Sequence, residues 1–288
     1  MADVVGGFNA GDTLTMVTRG KLAVVTIIAT ALCFSAVAIV PGQTPTTYKA
    51  PRTADGKPNL NGIWQAMNSA NWNIEAHQAA MGPITELGAA GSIPAGTGIV
   101  EGGEIPYKPD ALARRRENGA NYLKLDPEIR CYLPGVPRAI YQPFPFQIIQ
   151  SPKHIMFVHE FAGAVRTVYM TDQVEAPFDS WMGWSNGKWE GDTLVIDTTG
   201  FNGKTWFDRA GNFASKSLHV IERISARSPE TLNYDATIED PETFTKPWKI
   251  SMPLYRRVEK NAQISEFRCV EFSEDVIYGH LAKPGTKK

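Results

Sequence analysis

The sequence has 288 residues, which is enough for one large domain or two small ones. Hydrophobic residues make up 43% of the chain and charged residues 20%, values that exclude a fully disordered chain, a collagen and a polytopic membrane protein. The 29 Lys and Arg residues are balanced by 30 Asp and Glu residues, so the chain lacks the excess positive charge typical of nucleic-acid binding.

An uncharged apolar stretch lies near the start of the chain, at residues 22–40. Arg19 and Lys21 precede it, which is the arrangement of a signal peptide. Its length also suits an uncleaved membrane anchor. We therefore predict that residues 1–41 form either a signal peptide or a single anchor in the inner membrane, and that the rest lies on the periplasmic or extracellular side.

Residues 42–135 are rich in Pro, Gly, Ala and Asn and contain few β-branched runs. Two short helices are predicted in this segment, near residues 75–87 and over residues 110–118, where Pro109 provides a helix start. A long irregular stretch normally covers a core formed by other residues. We expect an arm that packs on the second half of the chain.

From about residue 136 to the end at residue 288, hydrophobic and polar residues alternate in short segments. Such a pattern predicts eight or nine strands joined by short turns, hence a mainly β fold with an antiparallel meander that forms a lipocalin-like barrel or a sandwich. Gly191 and Asp192 predict a tight hairpin turn. The alternating segments occupy residues 155–161, 165–170, 186–190, 193–197, 218–224, 232–238, 248–254 and 267–269.

An earlier strand is predicted at residues 60–66, which contain the pattern Gly62-x-Trp64. Lipocalin-type barrels begin with a similar pattern, and their Trp closes one barrel end beneath an arginine. Arg256 or Arg268 could supply that arginine through a cation–π contact.

Longer motifs resemble an uncharacterised family of secreted bacterial proteins. These motifs are PRTADGKPNLNGIW at residues 51–64, CYLPGVPR at residues 131–138, and NGKWEGDTLVIDTTGFN at residues 186–202. Together with FRCVEF at residues 267–272, they extend the resemblance over nearly all of residues 51–272. The resemblance implies export and a β-rich fold, and it implies no particular chemistry.

Three cysteines are present, and Cys33 lies in the apolar stretch. In an oxidising compartment Cys131 and Cys269 could form a disulfide, although two buried free thiols are an equal alternative. No Cys/His spacing typical of zinc or c-type haem occurs, so we expect neither a metal site nor a cofactor.

Three residues are candidates for catalysis: Glu222, Asp179 and His219. Glu222 shares a strand face with apolar residues, so it would be a buried carboxylate if that face points inward. If Glu222 pairs with an arginine such as Arg166, Arg256 or Arg268, its role is structural. If it is buried without a partner, its pKa would be raised and it could act as a general acid. His219 lies on the opposite face.

A second group of residues is a candidate for ligand binding. Trp181, Trp184 and Trp206 lie in or beside a loop-like segment that also carries Asp179, and carboxylates beside tryptophans can bind or process carbohydrate. Trp64 and His159 extend the set. A satisfied core histidine is the preferred interpretation of His159, which lies among apolar residues of one strand face.

Three functions follow from these patterns. The first is an extracytoplasmic barrel that binds an apolar or aromatic small molecule in its interior without catalysis. The second is a membrane-tethered subunit, held by residues 22–40, that stabilises a membrane-protein complex. The third is a hydrolase or lyase that uses carboxylates in a Trp-lined cleft.

Overall fold

The computed structural model describes residues 48–82 and 84–281. The segment predicted as a signal peptide or anchor, residues 1–41, lies outside the described residues. Among those that are described, no helix is both long enough and apolar enough to cross a membrane.

Nine strands close into a barrel in which each strand neighbours the next along the chain and the last pairs with the first. The prediction of a mainly β fold is confirmed, and the closed barrel replaces the alternative of a sandwich. The strands are β1 (Gly62–Gln65), β2 (Phe146–Gln150), β3 (His154–His159), β4 (Val165–Tyr169), β5 (Trp184–Glu190), β6 (Thr193–Thr199), β7 (His219–Ser228), β8 (Thr231–Glu239) and β9 (Trp248–Arg256).

One strand pair departs from the predicted antiparallel order. β4 and β5 are parallel, with Val168 opposite Ser185 and Tyr169 opposite Asn186. Parallel neighbours need a crossover of about a dozen residues or more. Residues 170–183 supply that crossover, because they carry the chain back to the barrel end at which β4 begins.

Two strand assignments made from the sequence differ from the structure. β2 was not predicted, because its five residues follow Pro143 and Pro145 and show little alternation. The strand predicted at residues 267–269 is not a strand. β9 pairs with β8 on one side and β1 on the other, so the closed barrel leaves β9 no free edge for another strand.

Helices are few and short among residues 48–82 and 84–281. The predicted helix over residues 110–118 is confirmed by α1 (Pro109–Ala120), whereas the one near residues 75–87 is wrong. There His77 forms a β-bridge with Gly96, and only a 3-10 turn (Thr85–Gly91) follows. The other helices are α2 (Tyr122–Leu125) and α3 (Ser273–Tyr278), and 3-10 turns occur at Pro127–Arg130, Arg138–Ile140, Phe161–Gly163 and Gly279–Leu281.

The barrel interior is a packed core. Burial alternates along the strands, most regularly in β8, because successive side chains point to opposite faces of a sheet. Large side chains occupy the inward positions of every strand from β2 to β9 except β5. They include Phe146, Ile148, Ile155, Phe157, Arg166, Val168, Leu194, Ile196, Val220, Glu222, Ile224, Leu232, Tyr234, Ile238, Trp248, Ile250 and Leu254.

Two segments outside the barrel cover the end at which β2 begins and β3 ends. The first precedes β2: Tyr107 packs on Phe244 at 5.0 Å between ring centroids. The second follows β9, and its Phe272 donates a backbone hydrogen bond of 2.9 Å to the carbonyl of Ile129. A disulfide between Cys131 and Cys269 links the two segments.

Candidate functional site

A cleft of about 380 Å³ opens where the two covering segments meet the barrel end. Its lining comes from six parts of the chain: the segment after β1, the 3-10 turn Pro127–Arg130, the turn before β2, the turn after β3, the connection between β6 and β7, and the segment after β9. The lining residues are Asn71, Trp72, Glu128, Ile129, Pro143, Phe144, Phe161, Arg209, Phe267, Arg268, Cys269, Val270 and Ser273.

Three phenylalanines form the aromatic wall of this cleft. Phe144 lies 5.8 Å from Phe161 and 4.7 Å from Phe267 between ring centroids, and the remaining pair is 5.2 Å apart. Such tilted contacts are favourable for aromatic rings.

The polar part of the lining is held by buried ion pairs. Arg138 donates two hydrogen bonds of 2.8 Å to the carboxylate of Asp126 and a third to Glu128. Its Nε also donates to Asn71 at 3.0 Å. Arg209 contacts Glu128 at 3.4 Å. This network fixes the position of the Glu128 carboxylate at the cleft.

Glu128 is ionised at neutral pH. Burial would raise the pKa of its carboxyl group, but the positive charges of Arg138 and Arg209 lower this pKa below the ordinary value. The Arg209 guanidinium also lies over the ring of Trp72, 4.7 Å from its centroid. A charged pair and an indole ring therefore meet at one side of the cleft.

The disulfide contributes to the wall as well, because Cys269 is a lining residue. The two cysteines are the pair that the sequence left open between a disulfide and free thiols. Without this bond, non-covalent contacts alone would hold the segment after β9 at the cleft, namely the ring contacts of Phe267, the cation–π contact of Arg130 with Phe272, and a few hydrogen bonds.

Two polar side chains lie buried close to the cleft, Gln142 before β2 and His159 at the end of β3. Neither the amide group of Gln142 nor the ring nitrogens of His159 have a hydrogen-bond partner within the described residues. The expectation of a satisfied core histidine is thus half right: His159 is in the core, beside Phe146 and Phe157, but unsatisfied.

The environment keeps His159 neutral. Burial lowers the pKa of its ring to about 3, and the positive charge of Arg166 acts in the same direction. The backbone of Ala139 favours the protonated ring, although no contact to it has hydrogen-bond geometry.

Glu222 lies inside the barrel, away from solvent. Arg166 donates two hydrogen bonds to its carboxylate, one of them at 3.1 Å, and Tyr234 donates another at 2.8 Å. Ser185 and Thr198 accept two further guanidinium hydrogens, both at 2.8 Å. Of the three arginines considered, Arg166 is the partner, and Glu222 belongs to a closed structural network.

The structure does not bring the three catalytic candidates together. His219 lies on the outer barrel face, with one ring nitrogen 3.1 Å from Asp197 and the other 3.1 Å from Glu239. Asp179 is exposed in the crossover between β4 and β5. Glu222, which points inward, shares no space with either residue.

The tryptophans predicted to line one cleft pack on four different partners. Trp181 stacks on Tyr132 at 4.7 Å and Trp184 on Tyr169 at 4.5 Å. Trp206 forms a β-bridge with Phe213. Trp64 is buried at the closure of the barrel, where Arg256 covers it.

Within the part of the chain that the structure describes, no group of three or more His, Cys, Asp or Glu side chains could hold a metal ion. Comparisons with family models, with curated proteins and with solved structures give no match for this chain.

The residues of the cleft, notably Glu128, Trp72, Phe144 and Phe267, were not predicted from the sequence. One signal could have pointed to Glu128 and Phe267. If the cysteines are taken as paired, residues 128–131 must lie beside residues 267–270, which places a carboxylate next to an aromatic ring.

Proposed function

We propose that this chain is an extracytoplasmic β-barrel protein that binds an apolar or aromatic small molecule in the cleft and does not transform it. The observation that carries the proposal is the wall of three touching phenylalanines, Phe144, Phe161 and Phe267, beside a fully paired group of charges. The volume of about 380 Å³ lies within the range of roughly 300–1,000 Å³ that is usual for small-molecule sites.

The site lies at the end of the barrel and not in its interior. Inward side chains such as Phe157 and Tyr234 fill the space that a ligand occupies in a lipocalin. Burial of apolar ligand surface against the three phenylalanines would supply most of the binding energy, at about 25 cal/mol per Å².

The charges of the cleft favour binding over catalysis. Because Glu128 is ionised and accepts hydrogen bonds from Arg138, it cannot donate a proton at neutral pH. The disulfide supports an extracytoplasmic location, since such bonds persist in oxidising compartments.

The test is a calorimetric titration of the protein with toluene, indole and 2-naphthol. We expect at least one of them to bind, and we expect Phe144→Ala and Phe267→Ala each to weaken that binding tenfold or more. Phe178→Ala is the matched control, because Phe178 is 69% exposed and lies outside the cleft. Recovery of each compound unchanged after long incubation would support a binding role.

Equal affinity of the wild type and both cleft variants would refute the assignment of the cleft, and a chemically altered compound would refute the non-catalytic role. Circular dichroism spectra of all variants check that the barrel is retained.

A second candidate function, the membrane-tethered subunit, is favoured by a different surface. An open groove of about 560 Å³ near the junction of β1 and β9 is lined by the exposed side chains of Met67, Tyr255 and Val258 together with the polar residues Gln65, Arg256, Arg257 and Glu259. Intact-mass analysis of the native protein separates the two functions. Retention of residues 22–40 together with stable co-purifying subunits would favour the tethered subunit.

A further inference from the structure

Gln142 and His159 are 1% and 2% exposed, yet four of their polar atoms lack partners among the described residues. Leaving a buried polar group unsatisfied costs about 1–3 kcal/mol. Most buried polar side-chain atoms in proteins have partners, so two such residues near one cleft call for an explanation. The backbone of Ala139 approaches the ring of His159, but without hydrogen-bond geometry.

Neither residue lines the cleft, but both adjoin residues of its aromatic wall in the chain. Gln142 immediately precedes the lining residues Pro143 and Phe144, and His159 lies two positions before Phe161. Both residues also lie near the 3-10 turn Arg138–Ile140. The backbone of Ala139 in this turn approaches His159, and Gln142 follows the turn by two positions in the chain. The unsatisfied atoms and the phenylalanines thus belong to one end of the barrel.

We propose that the binding site has an inner polar end, where Gln142 and His159 recognise a neutral ligand group that both donates and accepts hydrogen bonds. This inference rests on the proposed function and adds the ligand class, an aromatic ring that carries an amide or a similar group. The ring would lie between Phe144, Phe161 and Phe267.

The chemistry of the two side chains fits a neutral group with both hydrogen-bonding capacities. A glutamine amide offers a carbonyl oxygen that accepts and an NH₂ group that donates. A neutral imidazole offers one nitrogen that donates and one that accepts. A carboxylate on the ligand could accept hydrogen bonds but donate none, so the carbonyl oxygen of Gln142 and the acceptor nitrogen of His159 would stay unpaired; an amide supplies both a donor and an acceptor.

The test compares benzamide with toluene, which share a ring and differ in the polar group. We expect benzamide to bind the wild type more tightly than toluene does. Gln142→Leu and His159→Leu should each weaken the binding of benzamide about tenfold. The affinity for toluene should stay unchanged or increase. His154→Leu is the matched control, because His154 lies at the other end of β3 and contacts Tyr169.

Nuclear magnetic resonance of the wild type gives a second measurement that needs no variant. With ¹⁵N-labelled histidine, benzamide should shift the ring nitrogens of His159, toluene should shift them much less, and neither should shift those of His154.

Three outcomes would overturn the inner polar end. In the first, benzamide binds and Phe267→Ala weakens its binding, but neither Gln142→Leu nor His159→Leu does so. The proposed function would then stand, and the inner polar end would be refuted. An equal loss of toluene and benzamide binding in the two leucine variants would indicate a structural role only. Failure of every aromatic probe to bind the wild type would overturn both proposals.

Discussion

The guanidinium carbon of Arg256 lies 4.2 Å from the centroid of the Trp64 indole ring, at the place where β9 pairs with β1 and closes the barrel. Arg256 also donates hydrogen bonds of 2.9 Å to the carbonyl of Asn61 and 3.0 Å to that of Pro229. Gly62 is required beneath it, because a Cβ at that position would lie 2.2 Å from Arg256 Nη1. One arginine therefore joins three segments at the closure.

We expect Arg256→Ala to lower the free energy of unfolding by about 2–3 kcal/mol, since the change removes the cation–π contact and two hydrogen bonds to backbone carbonyls. Urea denaturation followed by tryptophan fluorescence measures the effect. Arg268→Ala is the control: Arg268 is exposed and pairs only with Glu266 among the described contacts, so its loss should change stability by less than about 0.5 kcal/mol. Indistinguishable unfolding of the two variants would contradict the structural role of Arg256.

The barrel closure is the feature that the sequence predicted best. Alternation with a period of two marks half-buried strands, and Gly62-x-Trp64 narrowed the arginine to Arg256 or Arg268. The first signal is local, because it depends on residues that lie close together in the chain, whereas the second depends on the tryptophan–arginine contact of lipocalin-type barrels. The parallel pairing of β4 with β5 was not predicted, because the path of the crossover between them produces no periodic pattern in the sequence.

The cleft could not be predicted in the same way. Its phenylalanines come from residues 144, 161 and 267, and no local pattern distinguishes them from core residues. Conversely, the segment with Asp179 and Trp181 looked functional because of its composition, yet its tryptophans pack on separate partners. Composition indicates which residues are available, whereas a site depends on which distant segments meet.

The pair of Glu222 and Arg166 gives a second prediction. Glu222→Leu leaves the guanidinium buried without a carboxylate and should destabilise the protein by about 3–5 kcal/mol. The double change Glu222→Leu with Arg166→Met should recover much of this loss, because no charge remains in the interior. Denaturant unfolding of the single and double variants measures the recovery, with Asp235→Asn on the outer face of β8 as control. A double variant less stable than Glu222→Leu would contradict this account.

His159 makes stability depend on pH. Burial and the charge of Arg166 lower the pKa of its ring from 6.5 to about 3, so between these values the unfolded chain binds a proton that the folded protein does not. The contribution of this group to the free energy of unfolding therefore falls by about 1.4 kcal/mol per pH unit as the pH falls from 6.5 towards 3. We expect the His159→Leu variant to become more stable relative to the wild type by about 1.4 kcal/mol for each unit that the pH is lowered. Urea denaturation between pH 6.5 and 4 measures this difference. His154→Leu should show no such gain.

Asp208 acts in the opposite direction. Burial raises the pKa of its carboxyl group from 3.8 to about 6, despite hydrogen bonds from the Ile74 and Asn212 backbones that lower it. The folded protein binds this proton between about pH 4 and 6, so the free energy of unfolding from Asp208 rises as the pH falls through that window. Asp208→Asn should therefore lose stability relative to the wild type as the pH is lowered from 6 to 4, and a loss independent of pH would exclude a raised pKa.

The disulfide gives the last prediction, which concerns both stability and the cleft. Cys131 and Cys269 are 138 positions apart, and in the loop-entropy model a bond that closes so long a loop stabilises by as much as about 5 kcal/mol. With Cys131→Ser and Cys269→Ser combined, the barrel strands remain paired to each other, whereas residues 257–272 keep only non-covalent contacts, among them the ring contacts of Phe267, the cation–π contact of Arg130 with Phe272 and the hydrogen bond from Ser265 to Glu160. We expect faster hydrogen exchange in residues 257–272, unchanged exchange in β5 to β8, and weaker binding of indole.

Treatment with a reductant provides the control for this experiment. It should reproduce the effect of the two substitutions in the wild type and have none in the double serine variant, which contains neither thiol. Uniform acceleration of exchange over the whole barrel would show that the disulfide stabilises the entire fold and not one wall of the cleft. Unchanged indole binding, with residues 257–272 exchanging freely, would show that Phe267 is dispensable and that Phe144 and Phe161 alone hold the ring.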